Sequence, residues 1–251
     1  MAAGSDLPTV PRTSVLGILP VYGSTLTLLS VLGVVYLAGA VLEETLGLRA
    51  GSLYDSPATW KDALMFAGEW LAGLAWILFA TARLVTRDAW RRAFRKPTWK
   101  DIGWIFVGVC LALACTVVVG YLQSAIFHIA PNSDSSTDRL RRSSTGLPHA
   151  TFVAVGVLVS PLVEEIADRG ILFCLLLTRF GPWTAACVSS AVFAAYHFQP
   201  ATFASIFAGG LVLAFAFQRT QTLWVPYGVH GIFNALLFAF HLLPHQNHPL
   251  Q

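Results

Sequence analysis

Long runs of apolar residues are the feature that most constrains how this chain can fold. Each run is about 20 residues long, the length that a helix needs to cross the hydrocarbon core of a bilayer. The runs lie at residues 14–42, 63–82, 102–127, 150–177, 182–198, 202–217 and 222–243. Charged residues make up only 12% of the chain, whereas an ordinary soluble domain carries about 25%. A water-soluble globular domain is therefore excluded.

The runs predict an all-α, polytopic membrane helix bundle with about seven transmembrane helices. They are too long for membrane β-strands and lack the alternation of polar and apolar residues that such strands show. We expect residues 1–130 to form amino-terminal membrane helices with about three spans, and residues 131–149 to form a polar loop. Residues 150–243 are expected to form a membrane core of about four spans, and residues 244–251 a polar tail.

Basic residues between the second and third runs set the predicted orientation, because short loops rich in Lys and Arg stay in the cytoplasm. Seven of the 16 Lys and Arg residues lie there: Arg83, Arg87, Arg91, Arg92, Arg95, Lys96 and Lys100. With seven spans, the amino terminus is then inside and the carboxyl terminus outside, in a membrane that we expect to be the bacterial cytoplasmic membrane. The net charge of +3 comes from such loop clusters. It gives no case for a nucleic-acid partner, and membrane lipids are the expected surroundings.

The fourth run contains four charged residues within six positions, namely Glu164, Glu165, Asp168 and Arg169. Charge inside hydrocarbon costs about 2.5–3.5 kcal/mol per residue or more, so these side chains need partners. Glu165 and Arg169 are spaced i, i+4 with the acid first, which predicts an ion pair. Glu164 lies on another stripe of the helix, together with Asp168, and suits a proton-accepting role. The alternative is a structural ion cluster that fixes helix packing.

Two further runs carry polar residues at helical spacing. Phe193 and His197 close the fifth run, and His230 and Asn234 lie in the seventh. One histidine alone in a membrane helix usually forms a packing hydrogen bond. Counting ~1.5 Å per residue from the predicted cytoplasmic ends, however, puts Glu164, these histidines and Asn234 at similar depths. The sequence therefore predicts one shared site.

Taken together, these residues form three motifs in order: EExxxR from Glu164 to Arg169, FxxxH from Phe193 to His197, and HxxxN from His230 to Asn234. The set resembles the CPBP family of intramembrane proteases, which includes CaaX-processing endopeptidases and bacteriocin-linked (Abi) relatives. The resemblance covers roughly residues 150–240. It implies an all-helical hydrolase that cleaves peptide bonds at a water-filled cavity, so residues 150–243 would be the catalytic core. The implied substrate is a membrane-associated protein or peptide.

The resemblance also implies a role for each matching residue. Glu164 and His197 would activate water, and His230 and Asn234 would form the oxyanion site. Supporting residues would be Glu165, Arg169, Asp168 and Phe193. These roles fit the chemistry, because water needs a base to attack an amide and the resulting oxyanion needs preorganised donors. Asp168 departs from the family pattern, which usually has an aromatic residue there.

Three alternatives remain open from the sequence. We expect no cofactor, but Glu164, His197 and His230 are ligand types of a catalytic zinc ion, although the chain lacks HExxH. A second alternative is a noncatalytic scaffold or immunity-type protein of the same fold, for which Asp168 is the best support. A third is a proton-coupled carrier, because buried acids and histidines also form proton relays.

Overall fold

The computed structural model describes residues 60–82, 85, 87–127, 147–197, 199 and 202–242. Within these ranges every regular element is a helix, which confirms the predicted all-α class. The helices are α1 Trp60–Ala82, α2 Arg87–Ala93, α3 Trp99–Phe127, α4 over 147–177, α5 Pro182–Ala195, α6 Phe203–Thr220 and α7 Trp224–Leu242. The predicted first span, most of the polar loop and the polar tail lie outside the described residues.

Six of the predicted runs correspond to apolar helices in the described ranges. By length and composition, Trp99–Ile126, His149–Leu177 and Phe203–Thr220 are long enough to cross a membrane. Shorter apolar helices occupy Phe66–Phe79, Pro182–Ala195 and Trp224–Phe240. Large apolar side chains point outward, as expected of a surface that faces lipid. The chain is an integral membrane helix bundle.

Helix α2 lies in the segment that the sequence analysis treated as a basic loop. Asp88 is in its first turn, and Arg91 and Arg92 are in its last, so its charges complement the helix dipole. Ala89 and Ala93 bury the opposite face against the bundle. Trp90 and Phe94 also pack against the core, and a loop was predicted because the segment is short and rich in basic residues.

Helix α6 packs against α3 and α5, while α7 packs against α3 and α4. Small residues allow these close contacts. A Cβ atom added at Gly210 of α6 would lie 2.9 Å from the Cβ atom of Ser190 on α5. One added at Gly228 of α7 would lie 2.8 Å from the Ile105 side chain on α3. The bundle is thus tightly packed around α6 and α7. This packing places α4 and α5 close to α7.

The loop between α2 and α3 is fastened to the turn between α6 and α7. The Arg95 guanidinium donates two 2.8 Å hydrogen bonds to the Asp101 carboxylate and one of 2.9 Å to the Thr220 carbonyl. The Thr222 hydroxyl donates to the Ala93 carbonyl at 3.0 Å. We call these five residues the loop clasp. It joins the predicted cytoplasmic loop to the carboxyl-terminal half of the bundle.

Helix α4 is not a uniform α-helix. Two wider, π-helical segments, Val155–Val159 and Ile166–Phe173, lie on either side of the α-helical turns Ser160–Glu165. π-helical segments are rare and often occur at functional sites. Here they bracket the two glutamates that the sequence analysis singled out.

Candidate active site

The acidic segment of α4 is almost completely buried. The exposed fractions of Glu164, Glu165, Asp168 and Arg169 are 5%, 0%, 2% and 0%. None of these side chains reaches solvent by lying at a helix end, so their charges depend on partners inside the bundle. The four side chains therefore face the interior of the bundle, as the predicted need for partners requires.

The predicted ion pair between Glu165 and Arg169 is confirmed. Arg169 Nη1 donates to Glu165 Oε1 at 3.0 Å, and Nη2 donates to the Gly210 carbonyl of α6 at 3.2 Å. The guanidinium carbon lies 4.5 Å from the centre of the Phe193 ring on α5, within cation–π range. Arg169 therefore links α4 to both α5 and α6.

His230 of α7 lies between the two glutamates. Its Nδ1 atom is 2.9 Å from Glu165 Oε1, and its Nε2 atom is 3.5 Å from Glu164 Oε2. The Glu165 carboxylate can only accept, so Nδ1 carries a hydrogen. His230 therefore contacts both carboxylates, and Ser160 donates to the other Glu164 oxygen at 3.3 Å.

His197 has a defined tautomer. Its Nδ1 atom lies 2.7 Å from the Phe193 carbonyl oxygen. Because a carbonyl only accepts, Nδ1 holds the hydrogen, and Nε2 of the neutral ring can accept a proton. The Phe193 ring centre is 4.9 Å from that of His197 and 5.7 Å from that of His230. The structure thus groups both histidines around one ring, while direct cooperation of His197 with Glu164 stays a prediction.

Asn234 contacts a backbone carbonyl. Its Nδ2 atom donates to the Gly156 oxygen of α4 at 2.9 Å. Asn234 and His230 were predicted to act together as oxyanion donors, but within the described residues His230 contacts two carboxylates and Asn234 donates to this carbonyl. A carboxamide has two N–H donors, so one remains for a ligand. The oxyanion role stays a prediction.

Asp168 has its own partner on another helix. The Tyr196 hydroxyl donates to Asp168 Oδ2 at 2.6 Å. The Tyr196 ring stacks on His197, with centroids 5.1 Å apart and planes at 17°. Asp168 is therefore bonded by the residue that directly follows α5, whereas Glu164 faces α7. Tyr196 was not among the predicted site residues, although its position directly before His197 was a usable signal.

Two carboxylate oxygens remain for a ligand. Glu164 Oε2 and Glu165 Oε2 are buried and have no hydrogen-bond partner within the described part of the chain. Buried polar atoms normally have one, and the 3.5 Å contact from His230 to Glu164 is too long for a good hydrogen bond. A donor such as water or a peptide N–H would suit both oxygens. Across the described ranges, no three His, Cys, Asp or Glu side chains are grouped to hold a metal ion.

The fold and site define an integral membrane protein with a buried cluster of acids and histidines. Residues 146–236 match the family model described as Type II CAAX prenyl endopeptidase Rce1-like. A curated relative from Bacillus subtilis (strain 168), named "Putative membrane peptidase YdiL", is 25% identical over 202 residues, or 80% of this chain and 81% of that protein. No solved structure gives a significant match.

These matches confirm the resemblance to the CPBP family that the three motifs indicated. They support a membrane protease as the class of protein. The residues matched by the family model, 146–236, include every residue of the predicted site.

Proposed function

We propose that this chain is an intramembrane endopeptidase that hydrolyses a peptide bond of a membrane-associated protein or peptide. The observation that carries the proposal is the buried contact between Glu164 and His230, 3.5 Å apart, beside a Phe193 ring that also contacts His197. An acid and two imidazoles from three helices thus lie in one cluster. Hydrolysis of an amide needs such groups to move protons.

In the proposed reaction, water is activated by Glu164 with His197. Glu164 Oε2 has no hydrogen-bond partner in the described ranges, and His197 Nε2 can accept a proton because Nδ1 faces the Phe193 carbonyl. The resulting hydroxide attacks the peptide carbonyl, and His230 and Asn234 stabilise the oxyanion. The proton taken from water then passes to the amine nitrogen as the C–N bond breaks. Glu165 and Arg169 hold His230 in place through the 2.9 Å contact to its Nδ1 atom.

We further propose that the reaction needs no metal ion. The zinc alternative would use Glu164, His197 and His230 as ligands. A chelator distinguishes the two. Glutamate catalysis predicts that 1,10-phenanthroline leaves cleavage unchanged, while Glu164→Gln abolishes it. Loss of cleavage on chelation and recovery on adding zinc would establish the alternative.

The proposed substrate has its scissile bond close to the membrane, because the catalytic groups lie within apolar helices. The matching family is named for CAAX prenyl endopeptidases, so a lipid-modified carboxyl-terminal peptide is one class to test. Purified protein would be offered the same peptide with and without a prenyl group. Cleavage of the prenylated peptide alone would assign that class, whereas equal cleavage of both would assign recognition to the peptide.

The decisive experiment compares protein termini in cells carrying the wild-type chain, Glu164→Gln or the control Asp88→Asn. Asp88 is an exposed acid of α2, far from the site in the sequence. We expect a set of new termini with the wild type and the control that Glu164→Gln lacks. If all three strains give the same termini while the biological role persists, the noncatalytic scaffold is the better proposal.

We also propose that the chain lies in a bacterial cytoplasmic membrane with its amino terminus inside and its carboxyl terminus outside. The basic residues around α2 support this orientation. Fusing alkaline phosphatase, which is active only outside the cytoplasm, to the carboxyl terminus would test it. An inactive fusion, together with a fluorescent cytoplasmic reporter at the same end, would reverse the proposed orientation.

A further inference from the structure

The first π-helical segment of α4 has an identifiable cause in Pro161. Proline has no backbone N–H, and its ring clashes with the carbonyl four residues earlier, here that of Val157. The Ser160 N–H donates to the Val155 carbonyl, five residues back. It is thus diverted from Gly156, its α-helical partner. The next possible donor to Gly156 is residue 161, which is the proline. The Gly156 carbonyl therefore lacks a helical donor on both counts.

Helix α7 supplies the missing donor. Asn234 Nδ2 donates to the Gly156 oxygen at 2.9 Å. This follows a general rule for membrane helices, in which side chains of neighbouring helices satisfy the backbone groups that proline releases. The hydrogen bond joins two residues that are 78 positions apart in the chain. It connects the turn before Glu164 directly to the helix that carries His230.

Two glycines make this approach possible. A Cβ atom at Gly231 would lie 2.8 Å from the Val157 carbonyl oxygen, and one at Gly156 would lie 2.7 Å from the Phe238 ring. Gly231, Asn234 and Phe238 are spaced as neighbours along one face of α7. That face packs on the widened turn of α4, so the Asn234 hydrogen bond belongs to a tightly packed contact between the helices.

We propose that Pro161 is a positioning residue for Asn234: by leaving the Gly156 carbonyl unpaired within α4, it fixes one N–H of the Asn234 carboxamide and leaves the other for the site. The use of that second N–H as an oxyanion donor rests on the proposed function. The link from Pro161 through Gly156 to Asn234 does not, and it can be tested without a substrate.

Thermal unfolding of the purified full chain tests this link through a double-mutant cycle. In the wild-type background, Asn234→Ala leaves the Gly156 carbonyl without a donor, and we expect the melting temperature to fall by about 4 °C. In the Pro161→Ala background, the restored N–H can reach that carbonyl, so Asn234→Ala should lower it by less than half as much. Equal falls in both backgrounds would overturn the proposal.

Pro182→Ala is the matched control. Pro182 is exposed and begins α5, where a backbone N–H has no helical partner in any case. Adding an N–H there should leave the effect of Asn234→Ala at its full size. If Pro182→Ala weakens the effect as much as Pro161→Ala does, the coupling is nonspecific and the proposal is wrong.

A spectroscopic measurement needs no proline variant. The chain has three asparagines, Asn132, Asn234 and Asn247, so [15N]Asn labelling gives three side-chain signals, and Asn234→Ala identifies one. We expect the Asn234 amide to exchange with solvent about tenfold more slowly than an unprotected asparagine carboxamide, because it is hydrogen-bonded at a helix contact. Exchange as fast as that of an unprotected carboxamide would refute the positioning role.

Cleavage assays separate this inference from the proposed function. If Asn234 is an oxyanion donor, Pro161→Ala should lower kcat about 10- to 100-fold with little change in KM, since small misplacements have effects of that size. Pro182→Ala should cleave normally. If no variant and no wild-type preparation cleaves any peptide, the protease proposal fails, while the unfolding cycle and the exchange rates still decide the role of Pro161.

Discussion

The Tyr196 hydroxyl donates a 2.6 Å hydrogen bond to the carboxylate of Asp168, and the Tyr196 ring stacks on His197. Asp168 is the position at which this chain departs from the pattern of the family that it resembles. The departure has a structural counterpart, because the buried acid accepts a hydrogen bond from the residue that directly follows α5. It also connects the acidic segment of α4 to the histidine that we propose as a partner of the catalytic base.

Tyr196→Phe tests this connection. Removing the hydroxyl deprives buried Asp168 of its α5 donor, so the free energy of unfolding should fall by about 1–3 kcal/mol. Cleavage should slow severalfold, because the Asp168 contact no longer holds the ring that stacks on His197. Denaturant unfolding and initial cleavage rates give the two values. Tyr121→Phe on α3, whose side chain is exposed, should change neither, and equal effects of both substitutions would count against the connection.

Asp168→Asn and Asp168→Leu separate hydrogen bonding from charge. Asparagine keeps a side-chain oxygen that can accept from Tyr196, so this variant should retain most of the wild-type cleavage rate. Leucine has no acceptor, so the Tyr196 hydroxyl loses its hydrogen bond to residue 168. Cleavage should then fall to the level of Tyr196→Phe. If Asp168→Asn is as inactive as Asp168→Leu, the negative charge itself is required.

Arg169→Lys should be strongly destabilising although it conserves charge. The guanidinium donates to Glu165 and to the Gly210 carbonyl while it lies over the Phe193 ring. A lysine ammonium cannot reproduce this planar, forked geometry. Because breaking a buried ion pair typically costs about 3–5 kcal/mol, we expect a loss of about 3 kcal/mol in denaturant unfolding.

Arg91→Lys provides the comparison for Arg169→Lys. Arg91 pairs with Asp88 at 3.3 Å on the surface of α2, and both side chains are more than 70% exposed. Solvent screens such a pair, so the substitution should leave the unfolding midpoint unchanged. A loss at Arg169 no larger than that at Arg91 would show that the buried contacts contribute little.

The ion pair between Glu165 and Arg169 could be predicted from the sequence because its spacing and its burial both depend on nearby residues of the same helix. Helical periodicity places Glu165 and Arg169 on one stripe, and burial follows from the apolar residues around them. The contacts from His230 to Glu165 and from Asn234 to Gly156 are not local, because they depend on how α7 is rotated and how deeply it sits against α4. The π-helical turns change that register, and the effect of Pro161 on them becomes visible only when the backbone donors are traced in three dimensions.

The loop clasp predicts an effect on stability that is separate from catalysis. Asp101 is buried and accepts both Arg95 hydrogen bonds, together with one from the Thr98 hydroxyl at 2.7 Å. Asp101→Ala removes all of these and should lower the free energy of unfolding by about 2 kcal/mol. At temperatures where the variant stays folded, cleavage should be close to that of the wild type. Asp88→Ala, at an exposed position of α2, should have little effect on unfolding.

Gly231→Ala and Gly209→Ala should have different effects, although each adds only a methyl group to a membrane helix. The methyl at residue 231 would meet the Val157 carbonyl oxygen at 2.8 Å, whereas nothing lies within 4 Å of one at residue 209. Backbone cannot move aside as a side chain can, so α7 must shift and carry the adjacent His230 away from Glu165. We expect Gly231→Ala to lower the melting temperature and slow cleavage by about 100-fold. Gly209→Ala should be neutral or slightly stabilising, because alanine favours the helix by roughly 0.5–1 kcal/mol. If Gly231→Ala keeps full activity, cleavage does not require the position of His230 that the close contact between α4 and α7 fixes.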